Sequence, residues 1–262
     1  MNRLSNLILT AALLLGLSVQ LGAQQNMDAP KLKEVKGKKL LEEVTPLQNK
    51  KGLWGYANSE GKFTIKPVFN EACPFEGRLA RVCVEGKWGT ISNTGLYVVS
   101  PIYESISEYS ADSLAIVKYN GKFGLIDGKG KRLQKVAFSA IDYADYGYLS
   151  REGDRYGTID KKGNTIFTPQ FDKVVMLEKE DTLDMFFKDG KWGVMRAGRD
   201  ILAHKWEKML TLLHKGTGGQ PNLYLATQNR HYGVVTSTGE YVVPCIYDDI
   251  VKAISGEYYV TM

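Results

Sequence analysis

From about Thr45 onward the chain alternates short apolar runs with clusters of glycine, asparagine, aspartate and lysine. Leu114-Ala115-Ile116-Val117 leads to Asn120-Gly121, a dipeptide suited to tight hairpins because both residues tolerate positive φ. Glu85-Gly86 and Asp189-Gly190 hold the matching place in other segments. The next run, Lys122-Phe123-Gly124-Leu125-Ile126, ends at Asp127-Gly128-Lys129-Gly130, and Asp160-Lys161-Lys162-Gly163 answers it. An acid first and a glycine fourth fit a type I turn closed by a residue of positive φ. A third run, Tyr97-Val98-Val99, meets Pro101, with Pro67 and Pro169 in the same place and Pro244 one position early. Proline has no N–H for a ladder, so pairing is expected to stop there. The pattern predicts three short antiparallel strands, written repeatedly.

The repetition has a period. An aromatic followed by glycine occurs at Trp54-Gly55, Trp88-Gly89, Phe123-Gly124, Tyr156-Gly157, Trp192-Gly193 and Tyr232-Gly233, at spacings of 34, 35, 33, 36 and 40 residues. A second glycine follows six residues later in every copy except the fifth, where Gly198 comes after five. Eight residues beyond that glycine stands another aromatic: Phe69, Tyr103, Phe138, Phe171, Trp206 and Tyr247. These two positions hold twelve of the 28 aromatics, including all four tryptophans. At about 2 kcal/mol per buried large side chain they are expected to dominate the core. A lone meander of one period cannot hold itself together, so each copy must stack on the next. The glycine after the first ring is expected to let a neighbouring strand's aromatic lie across bare backbone.

Gly-Lys-Trp-Gly, then Ile-Asp-x-x-Gly, then Pro-x-Tyr-Asp resembles the bacterial WG-repeat family, also called KWG repeats, over roughly Thr45 to Met262. Phe123, Tyr156 and Tyr232 depart from its tryptophan, and Val136 and His204 from its proline. The resemblance implies an all-β repeat protein, often exported and usually without assigned activity.

The fold expected is a tandem of about six three-stranded antiparallel β-meander units in an open superhelical array, with a closed β-propeller-like ring as the alternative. Tyr258-Tyr259-Val260 matches Leu114-Ala115-Ile116, the first strand of a further unit, while Thr45 to Gln48 already supplies that strand to the first. A surplus strand favours the open form, since closing a ring normally uses each strand once.

The first residues change the picture of where this fold works. Residues 1–23 carry Arg3, an apolar run from Leu7 to Leu17 and small residues at Gly22 and Ala23, which reads as a secretory signal peptide rather than a span. No cysteine near that point offers a lipid attachment site. Residues 24–43 read as a basic linker, with five lysines in Lys31–Lys39, and residues 44–262 as the repeat array. The formal net charge of +5 is mild, and mixed charges along the strands leave no nucleic-acid footprint. An exported location is expected, whether periplasmic, outer-surface or secreted, with no membrane span once the leader is removed. Three cysteines, Cys73, Cys83 and Cys245, form no disulfide framework; Cys73 and Cys83 either bridge a loop to the next strand or pack as small apolar residues.

Candidate chemistry is sparse. The insertion Thr211–Asn222 is glycine-rich, but Gln220-Pro221 follow its last glycine where a phosphate cradle needs lysine and a hydroxyl. His204, His214 and His231 stand singly, with no zinc spacing, and no nucleophile elbow occurs. Acids after the second ring, Glu104, Asp172, Glu207 and Asp248, suit turn capping better than proton transfer, as does the pair Asp248-Asp249; a second pair is Glu180-Asp181. If stacking aligns Asp172, Glu207 and Asp248 beside rings, they offer a surface for sugars or basic peptides. The expectation is therefore a non-enzymatic protein-interaction module of the cell envelope, without metal or cofactor. The alternative is a glycan-binding protein using the repeat aromatics and acids.

Overall fold

A computed structural model of the chain describes residues 29–33, 44–176, 183–217, 219–252 and 258–262. The leader reading of 1–23, most of the 24–43 linker and the Glu180-Asp181 pair lie outside the described residues.

The chain forms two compact units, one through Tyr103 and one from Glu104. In the first, β1 (Thr45–Gln48), β2 (Trp54–Ala57) and β3 (Phe63–Phe69) make a three-stranded meander. It is followed by a four-stranded sheet of β4 (Glu71–Ala72), β5 (Leu79–Val84), β6 (Lys87–Ser92) and β7 (Tyr97–Tyr103). The second unit holds four further sheets of four strands, each in chain order. The first is β8 (Ser105–Ile106), β9 (Leu114–Tyr119), β10 (Lys122–Asp127) and β11 (Arg132–Phe138). The next is β12 (Ala140–Ala144), β13 (Gly147–Glu152), β14 (Arg155–Asp160) and β15 (Thr165–Phe171). Then come β16 (Lys173–Met176), β17 (Leu183–Lys188), β18 (Lys191–Arg196) and β19 (Asp200–Trp206). The last of the four is β20 (Thr211–His214), β21 (Leu223–Gln228), β22 (His231–Thr236) and β23 (Tyr241–Tyr247). A two-stranded sheet of β24 (Asp249–Lys252) and β25 (Tyr258–Thr261) ends the series. The protein is all-β, a tandem of small antiparallel sheets, and no helix occurs among the described residues.

The three expected strands are present in every copy, and from the second copy on a short leading strand joins them. The residue after the second ring makes the handover from one sheet to the next. Asn70, Glu104, Asp172 and Glu207 each donate their backbone N–H to a carbonyl of the following sheet, of Cys83, Lys118, Phe187 and Thr227.

Proline does not stop pairing. In each copy the first and second rings sit directly opposite one another, as in Trp54↔Phe69, Trp88↔Tyr103, Phe123↔Phe138, Tyr156↔Phe171, Trp192↔Trp206 and Tyr232↔Tyr247. Between that pair and the next, Tyr56↔Ile65 in the first copy, the outer strand carries two extra residues. Pro67 sits in this bulge, at a sheet edge where its missing N–H costs nothing and discourages pairing with other chains. The fifth copy, one residue shorter, bulges by one there, from Trp192↔Trp206 to Gly193↔His204.

The bulge also corrects the reading of the glycines that follow the first rings. A β-carbon on Gly55 would stand 2.4 Å from the Ile65 carbonyl oxygen and 2.8 Å from the Pro67 nitrogen; Gly89, Gly124, Gly157, Gly193 and Gly233 face the same strand backbone. Bare α-carbons are needed because the bulged strand itself presses in, not to seat an aromatic; only Gly193 also meets a ring, that of Phe186.

The cores lie between consecutive sheets. Tyr56, Ile65 and Phe69 pack with Ala80, Val82 and Ile91; Phe138 and Leu125 with Tyr148 and Ile159; Phe171 with Phe186 and Met195; Trp206 and Val194 with Tyr224 and Val235. Leu32, inside the segment read as a basic linker, packs against the first of these. Central strands are buried on three successive residues rather than alternately; in Gly193-Val194-Met195 both faces of the sheet are covered, Met195 packing with Phe171 and Val194 with Trp206. The two ring positions differ: Phe69, Tyr103, Phe138, Phe171 and Trp206 are buried, whereas Tyr247 and all six first rings are half-buried.

Candidate functional site

The half-buried first rings occupy one repeated place, the start of the central strand, immediately after the hairpin turn. The turns are built as the dipeptides predict: Asn120 and Gly121 have φ of 48° and 71°, Glu85 and Gly86 of 50° and 74°, Asp189 and Gly190 of 50° and 75°. Before the ring stands an exposed cation in four copies, Lys87, Lys122, Arg155 and Lys191, and His231 in the last. A further ammonium lies over two rings, Lys118 at 5.6 Å from Phe123 and Lys208 at 5.2 Å from Tyr232.

The acids after the second ring divide by direction. Glu207 reaches forward, its oxygens accepting the backbone N–H groups of Asn229 and Arg230 at 2.9 and 3.1 Å in the next hairpin. Glu104 does the same for Gly121 at 3.1 Å, and Asn70 for Glu85 at 2.7 Å. Asp172 and Asp248 turn back to the residue before the first ring of their own copy, Asp172 to the Arg155 guanidinium at 2.7 Å and Asp248 to the His231 imidazole at 3.6 Å. The three acids singled out for a shared ladder thus engage three different kinds of partner.

One copy adds a concavity. A groove of about 430 Å³ opens beside Tyr156, lined by Arg151, Asp154, Asp172, Lys173, Val174 and Val175. Arg151 lies directly across from Tyr156 on β13, and Lys173 begins β16 of the next sheet. Arg151 and Lys173 were not singled out in the sequence. A register count back from the Gly153 turn places Arg151 opposite Tyr156, so the signal was available for that residue.

Other candidates have structural employment. Part of the insertion, Thr211–His214, is strand β20, and the remaining loop is closed by Gly216 N–H donating to Asn222 Oδ1 at 2.8 Å. His204 pairs with Gly193 at the edge of the bulge, its Nε2–H donating to the Lys188 carbonyl at 2.8 Å, and Asp249 accepts the N–H of Ile250 at 2.8 Å. Among the described residues no three of His, Cys, Asp and Glu converge as metal ligands. None of the three cysteines is in a disulfide, and burial pushes the Cys83 thiol up; of the two alternatives for Cys73 and Cys83 the structure takes packing over a bridge.

A polar cluster that the sequence reading missed lies between the fourth and fifth copies. Asp184 is 5% exposed, and its Oδ2 has no hydrogen-bond partner among the described residues. Burial, then the charge of Asp145, pushes its carboxyl up to about 6, while the Gly198 N–H draws it partly back. Tyr146 lies against Gly198, whose carbonyl accepts the buried Thr158 hydroxyl at 2.6 Å. Eight residues before the first ring, other copies place Ala80, Ala115, Tyr148 and Tyr224, so an acid at that position was a legible departure.

No curated protein sequence matches the chain. Similar solved structures include a eukaryotic initiation factor, at 10% identity and a TM-score of 0.37 over 78% of this chain and 63% of that one. This chain thus spans just under two thirds of that structure's length. Others are Kluyveromyces lactis Hsv2, at 13%, 0.29, 70% and 67%, and the WD40 β-propeller domain of Doa1, at 7%, 0.27, 70% and 72%. Scores this low carry no argument. The model of the WG containing repeat matches residues 54–88, 88–123, 156–192 and 232–260, each span but the last running from one first ring to the next. Those spans take in just over half of the chain, and they start at the same rings, Trp54, Trp88, Tyr156 and Tyr232, whose cross-strand pairing defines the sheets; the chain belongs to the WG containing repeat family.

Proposed function

We propose that this is a non-enzymatic exported protein of the bacterial cell envelope that holds a protein partner through its repeated hairpin ends. One observation carries the reading: in four copies a half-buried ring, preceded by an exposed cation, opens the central strand at the same place in its sheet, a composition rich in the aromatic and basic groups that anchor protein interfaces. Spending the neighbouring carboxylates on turn N–H groups and ion pairs leaves them poorly placed for acid–base work. Export is supported by the leader pattern in residues 1–23. Fractionation of cells making the full chain, with mass determination of its N-terminus, tests the compartment: the expected product begins after about Ala23 outside the cytoplasm, and a cytoplasmic chain retaining Met1 overturns it. Affinity capture from envelope extract tests the partner. A protein retained by the wild type and lost on Lys122→Glu with Lys191→Glu is expected; retention indifferent to those changes counts against the hairpin ends.

A second reading, a glycan binder of the same compartment, is favoured by the groove beside Tyr156, where an aromatic face, carboxylates and cations line one small concavity.

A further inference from the structure

We infer that the groove beside Tyr156 is a binding site for an acidic saccharide, one whose rings carry carboxylates. This rests on the glycan reading and goes beyond it in naming the sugar's charge.

The size suits one or two sugar rings, at the lower end of the range for small-molecule sites. Its apolar surface is the half-buried face of Tyr156 with Val174 and Val175, also half-buried, which matches the C–H face of a pyranose. The polar surface is what selects the charge. Asp172 is already held by Arg155 at 2.7 Å, and Arg155 also donates to the Gln170 carbonyl at 3.2 Å, so this pair is internally neutral and oriented. Arg151 and Lys173, both exposed, make no ion pair among the described residues. Against them stands only Asp154, and the groove offers an anion one net positive charge. A guanidinium and an ammonium line the groove from two successive sheets, together with the ring. Arginine takes a carboxylate bidentately, whereas lysine serves as a point charge on the same or a neighbouring group. A neutral sugar would leave both cations with water alone; a basic peptide would be repelled by them.

The fourth copy, like the sixth, where Asp248 turns back to His231, differs from the second and fifth in what its acid does, and of these two it is the fourth that has the groove. In the second and fifth copies Glu104 and Glu207 cap the next hairpin, which ties down the corresponding corner. Asp172 instead turns back to Arg155, leaving the start of β16 open beside the ring.

The test is calorimetric titration of the full chain with an oligomer of galacturonic acid, with its carboxyl-reduced neutral counterpart, and with a glutamate oligopeptide of similar charge. Binding of the uronate roughly tenfold or more tighter than the neutral sugar, weakening as salt is raised, is expected. Arg151→Ala with Lys173→Ala, both on the surface, should reduce that affinity about tenfold without moving the thermal midpoint, and Tyr156→Phe should leave it intact. Equal affinity for charged and neutral oligomers overturns the inference while the glycan reading stands. Absence of binding to either sugar overturns both. Equal or tighter binding of the glutamate peptide, sensitive to the same two substitutions, overturns the inference in favour of a peptide site.

Discussion

Gly55 lies directly beneath the Ile65 carbonyl, so close that a β-carbon would stand 2.4 Å from the oxygen. No real contact survives at that distance, and the obstacle is backbone rather than a side chain that could turn aside. Gly55→Ala must therefore push the bulged strand away and break the pairing of Trp54 with Phe69. The expected loss is about 3 kcal/mol, the upper range for overpacking. Gly86→Ala is the control: it has a φ of 74° and open space around it, so only left-handed strain applies, about 1 kcal/mol. Urea denaturation of the two variants measures the difference, and equal losses would mean that the bulge is not what requires glycine.

The two ring positions should differ in cost. Trp206 is fully buried between the fifth and sixth sheets, against Met185, Tyr224 and Val235. Trp206→Ala should lose about 4 kcal/mol, the figure for emptying an aromatic site that cannot collapse. Tyr247, its counterpart one copy later, is half-buried, and Tyr247→Ala should lose about 1 kcal/mol. Denaturant midpoints with unchanged slopes would check both. A large loss at Tyr247 would show that the last ring is as deeply packed in solution as the others.

How much of this was legible follows from what a linear period can carry. The spacing of Trp54, Trp88 and their successors names the strands, the turns and the sheet repeat, because hairpin dipeptides and ring positions are local facts. The pairing of Trp54 with Phe69 was not legible, since it depends on two residues bulging out of the outer strand, and Pro67 read simply as an end to pairing. The leading strands escaped notice because pieces such as Ser105–Ile106 are too short to show alternation. Of the candidate site, Tyr156 and Asp172 were in view and Arg151 could be placed by register across from the ring, but Lys173 joins them only when the next sheet is stacked. Asp172, Glu207 and Asp248 look equivalent along the chain, yet their side chains take different directions that one residue's identity does not reveal.

Glu207 should act as a cap rather than as part of an acidic surface. Both its oxygens accept N–H groups from a hairpin whose two central residues, Asn229 and Arg230, are held at φ of 52° and 64° without glycine. Removing the acceptor exposes that strain. Glu207→Ala is expected to cost about 1 kcal/mol and to speed amide exchange at Asn229 and Arg230, whereas Glu207→Gln, which keeps one acceptor, should recover much of it. Asp172→Ala breaks only an ion pair that is 52% and 33% exposed on its two sides, worth less than about 1 kcal/mol. Unchanged exchange at the hairpin in Glu207→Ala would remove the capping role.

The buried acid makes stability depend on pH with a sign opposite to that of most carboxylates. Asp184 has its carboxyl pushed up to about 6 by burial and by Asp145, above the 3.8 of an unperturbed aspartate. Between those values the folded chain holds a proton that the unfolded chain has released, so folding binds protons and weakens as pH rises. The contribution is fully present below about pH 4 and is lost as pH climbs through about 6, by roughly 3 kcal/mol in all for a shift of about two units. Asp160 works the other way: although burial opposes its charge, the N–H groups of Lys162 and Asn164 hold its carboxyl below the usual range, and that stability is lost in acid. Comparing the wild type with Asp184→Asn isolates the buried group, since all other carboxylates are shared. Near pH 4 the two should unfold at similar urea concentrations, and by pH 7.5 the asparagine variant should be the more stable by up to about 3 kcal/mol. Parallel stability curves across that window would mean that Asp184 ionises in the fold as easily as in the unfolded chain, and that its neighbours or solvent meet the charge.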